Sequence, residues 1–139
     1  MDKANKKIMV FGTFDIFHKG HENFLEQAKK YGDFLCVVVG RDKTVSKVKG
    51  YMPKYSEKKR MSVVKKSSLA DEVVLGGLND KYEVVREYKP DIICLGYDQK
   101  FFIDELRKEL DKSGLQKTKI IRLKSYKPEI YKSSKFNVW

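Results

Sequence analysis

The sequence predicts an α/β fold, a Rossmann-like, doubly wound, five-stranded parallel sheet with helices on both faces. Three observations carry that prediction. Short, continuously apolar runs, such as FLCVVV at 34–39, read as strands buried on both faces, as a parallel sheet requires. Segments with apolar residues at helical spacing alternate with those runs. The first run is followed by a glycine turn and an amphipathic segment, which is the layout of a βα corner able to hold a phosphate group.

In chain order, 1–7 reads as a loose polar tail and 8–11 (IMVF) as the first strand. A helix begins near Glu22, carries Phe24, Leu25, Ala28 and Tyr31 on one face, and stops at Gly32. The second strand, 34–39, leads into a polar connection, 40–55, too long for a simple βα link. Ser56 caps a second helix reaching about Ser67, with Met61 and Val64 inward, and 72–75 is a short strand. Asp80 and Glu83 have the spacing of a capping box for a helix ending before Pro90. A fourth strand, 91–95, is followed by a helix over 101–112, with Phe102, Leu106 and Leu110 in line, an Asp104–Lys108 pair at i, i+4, and Gly114 behind it. The fifth strand is 118–123. Residues 124–139 form a C-terminal tail closing the site, with a final helical turn expected from Ser133. Five strands and four helices in 139 residues fit a single domain.

The chain has 30 basic and 19 acidic residues, a net charge of +11. Such an excess suits a polyanionic partner, yet most of the basic residues are lysines scattered along the chain, the pattern of a solvated surface. Nucleic-acid binding is therefore a minor expectation. Cys36 and Cys94 each sit inside an apolar run and read as core filler rather than as a disulfide or metal site. With neither an 18-residue apolar stretch nor a signal-peptide core, a cytoplasmic protein with no membrane partner is expected.

The most informative stretch is GTFDIFHKGH, residues 12–21, which holds both histidines of the chain. His18 and His21 are three apart at a helix start, so both imidazoles can face the same oxygen atoms. The unpaired N–H groups of that helix end add partial positive charge suited to phosphate. Gly12 and Gly20 let the backbone approach a ligand closely. A pair of surface histidines is the plainer reading of an arbitrary HxxH. Its position behind a strand and a GTFD turn favours the functional one. Asp15 can bind a nucleophile or metal, or brace a turn by accepting backbone N–H bonds. Thr13 and Phe14 offer backbone N–H groups. Arg41, Lys43, Lys47 and Lys49 make the following connection strongly basic, and Arg60 is one of only five arginines. Asp98, behind the fourth strand, can cap the next helix or enter a site.

GTFDIFHKGH resembles the signature of the cytidylyltransferase-like nucleotidyltransferases, a strand, then GxFDxxHxGH, then a helix. The likeness extends through RDKTVSKVKG, SEKKR, ADEVVLG, DIICLGYDQ and KSSKF, most of the chain. It implies transfer of a nucleoside monophosphate from ATP or CTP to a phosphate-bearing acceptor, with pyrophosphate release and no covalent enzyme intermediate. His18 and His21 would then donate to the reacting phosphates, and Arg60 with Lys47 or Lys49 would contact the nucleotide. Gly96 and Asp98 would lie beside base and ribose, and Ser133 and Ser134 would hold phosphate oxygens. Mg²⁺ is expected on the triphosphate itself, since the chain has no clustered carboxylates to form a metal site. The run KPDIICLGYDQ looks most like archaeal-type FAD synthases, which adenylylate FMN, with glycerol-3-phosphate-like cytidylyltransferases as the alternative. A non-catalytic nucleotide- or RNA-binding module is the alternative of another class, and the resemblance admits a homodimer. Two departures stand out. Residues 124–139 lack the cysteine such FAD synthases typically carry, and Ser68, Leu69 and Ala70 stand where related enzymes place an arginine.

Overall fold

A computed structural model describes residues 5–97, 99 and 103–124. The elements run β1 (Lys7–Gly12), α1 (Lys19–Lys29), β2 (Phe34–Val39), α2 (Asp42–Lys49), α3 (Glu57–Lys66), β3 (Glu72–Leu75), α4 (Glu83–Tyr88), β4 (Ile92–Leu95), α5 (Ile103–Lys112) and β5 (Lys119–Arg122). All five strands are parallel, in the order β3-β2-β1-β4-β5. The chain therefore winds outward from β1 in one direction and then in the other. The crevice where the strand order reverses opens above the carboxyl ends of β1 and β4.

Period-two alternation divides the strand residues between the two faces. Ile8, Val10, Leu35, Val37, Val39, Ile92 and Cys94 pack beneath Leu25 and Ala28 of α1 and Val64 of α3. Met9, Phe11, Cys36, Val38, Ile93 and Leu95 pack against Val84 and Val85 of α4 and Leu106 and Leu110 of α5. With helices on both sides, no strand residue of the interior needs to be polar. The two free thiols fall on opposite faces of the sheet, and burial pushes both up to about 12. They behave as apolar filler.

Several boundaries differ from expectation, each for a local reason. The first helix begins at Lys19 rather than near Glu22, because His18 acts as its N-cap. The connection at 40–55 is not all loop. It contains α2, an additional helix that buries Val45 and ends at Gly50 in the left-handed conformation. Asp80 and Glu83 form no capping box. The Asp80 carboxylate instead accepts from the Tyr82 amide at 3.0 Å and pairs with Arg86, so α4 starts at Glu83 with Tyr82 as its N-cap. The expected Asp104–Lys108 pair lies outside the described side chains; α5 carries an Arg107–Asp111 ion pair at i, i+4. The strand at 34–39, the Ser56 cap and the strand at 72–75 lie where the sequence placed them. Asp98, Ser133 and Ser134, and with them the expected final helical turn, fall outside the described residues.

Candidate active site

At the end of β1 the backbone turns sharply through Phe14, whose φ of 54° is left-handed. For an aromatic residue this conformation costs about 1–2 kcal/mol. It is held because the ring, 2% exposed, is folded back into the core beside Phe17, His21 and Phe24. Gly12 makes room for that ring, since a Cβ there would stand 2.6 Å from Phe14 Cε2.

The two histidines close the start of α1 on each other. The Gly20 amide donates to His18 Nδ1 at 3.0 Å, and the His18 amide donates to His21 Nδ1 at 3.3 Å. The reciprocal pair is a capping box built from imidazoles, with the rings stacked at 4.0 Å. Because Nδ1 of each ring accepts, the proton of each neutral imidazole sits on Nε2, which is thereby a donor. The His21 Nε2 and the Thr13 hydroxyl oxygen are buried with no hydrogen-bond partner among the described residues. Leaving such groups unpaired costs about 1–3 kcal/mol each, a cost that an oxygen-rich ligand would remove.

Burial holds both rings neutral. His18 lies below its usual range through desolvation, and His21 falls to about 3. For His21 desolvation leads, the neighbouring His18 adds to it, the Ile16 backbone opposes it, and the charge of Lys49 lowers it further. In the unfolded chain a histidine takes up its proton near 6.5. Stability is therefore unaffected by these groups above that pH and falls as pH drops from about 6.5 toward 3, where only the unfolded chain binds the proton. Urea midpoints measured from pH 7.5 to 4.5 should decline more steeply for the native chain than for His21→Asn. Parallel declines would exclude a buried neutral His21.

Lys49 lies near the histidines. Lys47, two residues away and so about 200° around the helix, is exposed and faces the loop after β3. Of the two lysines that the sequence left open, Lys49 is the one whose charge reaches His21. The expectation for Arg60 is corrected. It is wholly buried, and its guanidinium donates to Thr13 O and Gly40 O at 2.8 Å, to Tyr55 O at 3.0 Å and to Asp42 Oδ1 at 2.6 Å. It fastens the corner to α2 and to the α2–α3 loop instead of meeting a ligand. Asp15, 5% exposed, has both oxygens in use, accepting from the amides of Lys54 at 2.7 Å and Tyr55 at 2.8 Å. Of its two readings the structure shows the brace, with each carboxylate oxygen accepting one backbone N–H bond. Asp15→Asn, which keeps only one accepting oxygen, should cost about 1–3 kcal/mol in urea unfolding; an unchanged midpoint would remove the brace.

Gly96 lies across the crevice. Its amide donates to Gln99 Oε1 at 2.7 Å, and Gln99 Nε2 donates to Phe11 O at 2.6 Å, which ties the turn after β4 to the end of β1. Arg122 on β5 donates to the carbonyls of Gly96 at 2.7 Å and Gln99 at 2.8 Å. Sequence reasoning assigned nothing to Gln99 or Arg122. The scarcity of arginine was the available signal for Arg122, and Gln99 had none. Among the described residues no cluster of His, Cys, Asp or Glu is arranged to hold a metal ion, and no helix is long and apolar enough to cross a membrane.

A sheet that reverses its order beside a helix start carrying two neutral imidazoles defines a class of phosphate-handling α/β proteins. The model of the family described as cytidylyltransferase-like matches residues 9–137, and the chain belongs to this family of nucleotidyltransferases. More particularly, it is similar to FAD synthases. That of Thermococcus sibiricus is 43% identical over 138 residues, covering 97% of this chain and 93% of the relative. That of Ferroglobus placidus is 46% identical over 121 residues, covering 86% and 77%. Among solved structures, the lipopolysaccharide core biosynthesis protein from Thermoplasma volcanium superposes with a TM-score of 0.80 at 41% identity, over 87% of this chain and 98% of that one. A pantoate-beta-alanine ligase from Francisella tularensis shares the fold, with a TM-score of 0.62 at 14% identity over 85% of this chain and 58% of that one.

Proposed function

We propose that this chain is an FAD synthase that transfers AMP from MgATP to FMN and releases pyrophosphate. The observation that carries the chemistry is the stacked pair His18 and His21, each accepting through Nδ1 and so carrying its proton on Nε2. The flavin acceptor rests on the similarity to FAD synthases across nearly the whole chain.

In this reaction a phosphate oxygen of FMN attacks the α-phosphorus of ATP in line. One P–O bond forms to FMN as the bond to the β-phosphate oxygen breaks, and both electrons of that bond leave with pyrophosphate. Negative charge accumulates on the non-bridging oxygens and on the leaving group, so preorganised donors lower the barrier. His18 and His21 provide neutral Nε2–H donors, the start of α1 adds the helix-end field, and the Thr13 hydroxyl adds one more hydrogen bond. Lys49 contributes a cation whose charge reaches His21, and Mg²⁺ arrives with the triphosphate as part of the substrate. Gly20 keeps the start of the helix open to phosphate oxygens, and Arg60 and Asp15 act as positioning residues. Gly96 with Asp98 for base and ribose, and Ser133 with Ser134 for phosphate oxygens, complete the proposed site on the strength of the family pattern.

The test is pyrophosphate release with Mg²⁺ and either ATP or CTP, each offered FMN or glycerol 3-phosphate. Turnover confined to ATP with FMN is the expected result. Turnover confined to CTP would keep the phosphate contacts and replace the flavin with a phospho-alcohol.

A further inference from the structure

We infer that the cavity between α2 and the β3–α4 loop binds the isoalloxazine ring of the flavin acceptor, a conclusion that rests on the FAD synthase reading above. The cavity has a volume of about 650 Å³, within the range of small-ligand sites. Its walls carry Val48 and Leu78, 51% and 56% exposed, aliphatic side chains left open to water on an otherwise lysine-rich protein. Tyr82, 7% exposed, also belongs to the lining, with the Lys81 ammonium 5.7 Å from its ring centroid. A cavity that sets these two aliphatic side chains among polar and cationic groups suits a flat, fused ring with a polar edge.

The polar groups of the slot also fit a flavin. The pyrimidine edge of isoalloxazine offers an N–H between two carbonyl oxygens. Asn79 supplies an amide able to accept from that N–H and donate to a carbonyl, and Lys43 and Lys47 supply further donors at the rim. The acidic wall residue, Asp80, has its carboxylate engaged by the Tyr82 amide and by Arg86, so it does not present an uncompensated negative charge.

The position of the cavity connects it to the chemistry. α2 stands between the cavity and the histidine corner, with Lys47 and Val48 on the cavity side and the charge of Lys49 felt by His21. FMN has a dianionic phosphate at one end and a flat apolar ring at the other, and its ribityl chain could pass the end of α2 near Gly50. The slot adjoins the turn after β3, whereas the Gly96 turn lies beyond β1 in the sheet order. This arrangement separates ring from nucleotide base.

The full chain should be titrated with riboflavin, which has the ring without the phosphate, by quenching of flavin fluorescence, and assayed for FAD formation. Leu78→Asp and Val48→Asp should each weaken riboflavin binding at least about tenfold and raise KM for FMN by a similar factor, while KM for ATP changes less than about twofold. Both positions are exposed, so the variants should fold, which circular dichroism and the milder Leu78→Ala will verify. His18→Asn should lower turnover and leave riboflavin affinity intact, separating ring binding from phosphate chemistry. Unchanged KM for FMN in both aspartate variants, with normal FAD formation by the native chain, overturns the inference and spares the FAD synthase reading. Failure of the native chain to form FAD overturns both.

Discussion

His18→Asn is expected to reduce kcat for pyrophosphate release by about 10²–10³-fold, the usual consequence of removing one preorganised donor from a charge-developing transition state. Asparagine is chosen because His18 has two roles. Its Nδ1 caps α1 by accepting from Gly20, and asparagine is among the best N-cap residues, so the helix start should survive. Its Nε2 has no equivalent in the shorter side chain. A fall in kcat with a melting temperature near that of the native chain therefore isolates the donor function. An unchanged kcat would show that the reacting phosphates do not meet His18. Because burial already keeps the ring neutral, the native rate should not follow a histidine titration between pH 7 and 8.

Arg60→Leu is expected to destabilise the chain by about 3–5 kcal/mol, the cost of breaking a buried charged pair from one side. The loss strands three backbone carbonyls, those of Thr13, Gly40 and Tyr55, and leaves Asp42 without its partner. At this chain length the melting temperature should drop on the order of 10 °C. Arg60→Lys should recover only part of it, since one ammonium cannot span acceptors arranged around a planar fork. Differential scanning calorimetry of the three chains decides the matter. A melting temperature within a degree or two of native for Arg60→Leu would mean that the guanidinium is not the brace of the corner.

Periodicity made most of the architecture legible. FLCVVV read as a strand buried on both faces, and Ser56 was an ordinary cap with its apolar residues at the right phase behind it. The boundaries that moved did so where an unusual residue took an ordinary role. His18 as an N-cap is not a propensity signal, so the start of α1 was displaced by about one turn. α2 was unread because its eight residues are mostly polar and bury only Val45, which leaves almost no apolar stripe. Asp80 matched a capping box in spacing alone, while Arg86 and the Tyr82 amide competed for its carboxylate.

The sequence by itself determined the sheet, its two apolar faces, the glycine-turn corner and the presence of both histidines on it, because each depends on contacts between residues close in the chain or on simple alternation. The tertiary structure alone decided which way the charged groups point. Asp15 reaches residues 54 and 55, Arg60 reaches residues 13, 40, 42 and 55, and of the three lysines on α2 it is Lys49 whose charge reaches His21. A charged side chain is long and has several possible partners, so its role is set by the segments that the fold brings within reach and by how much water they exclude. Within a single motif, the same physics keeps two histidines neutral and turns an arginine from a ligand contact into a brace.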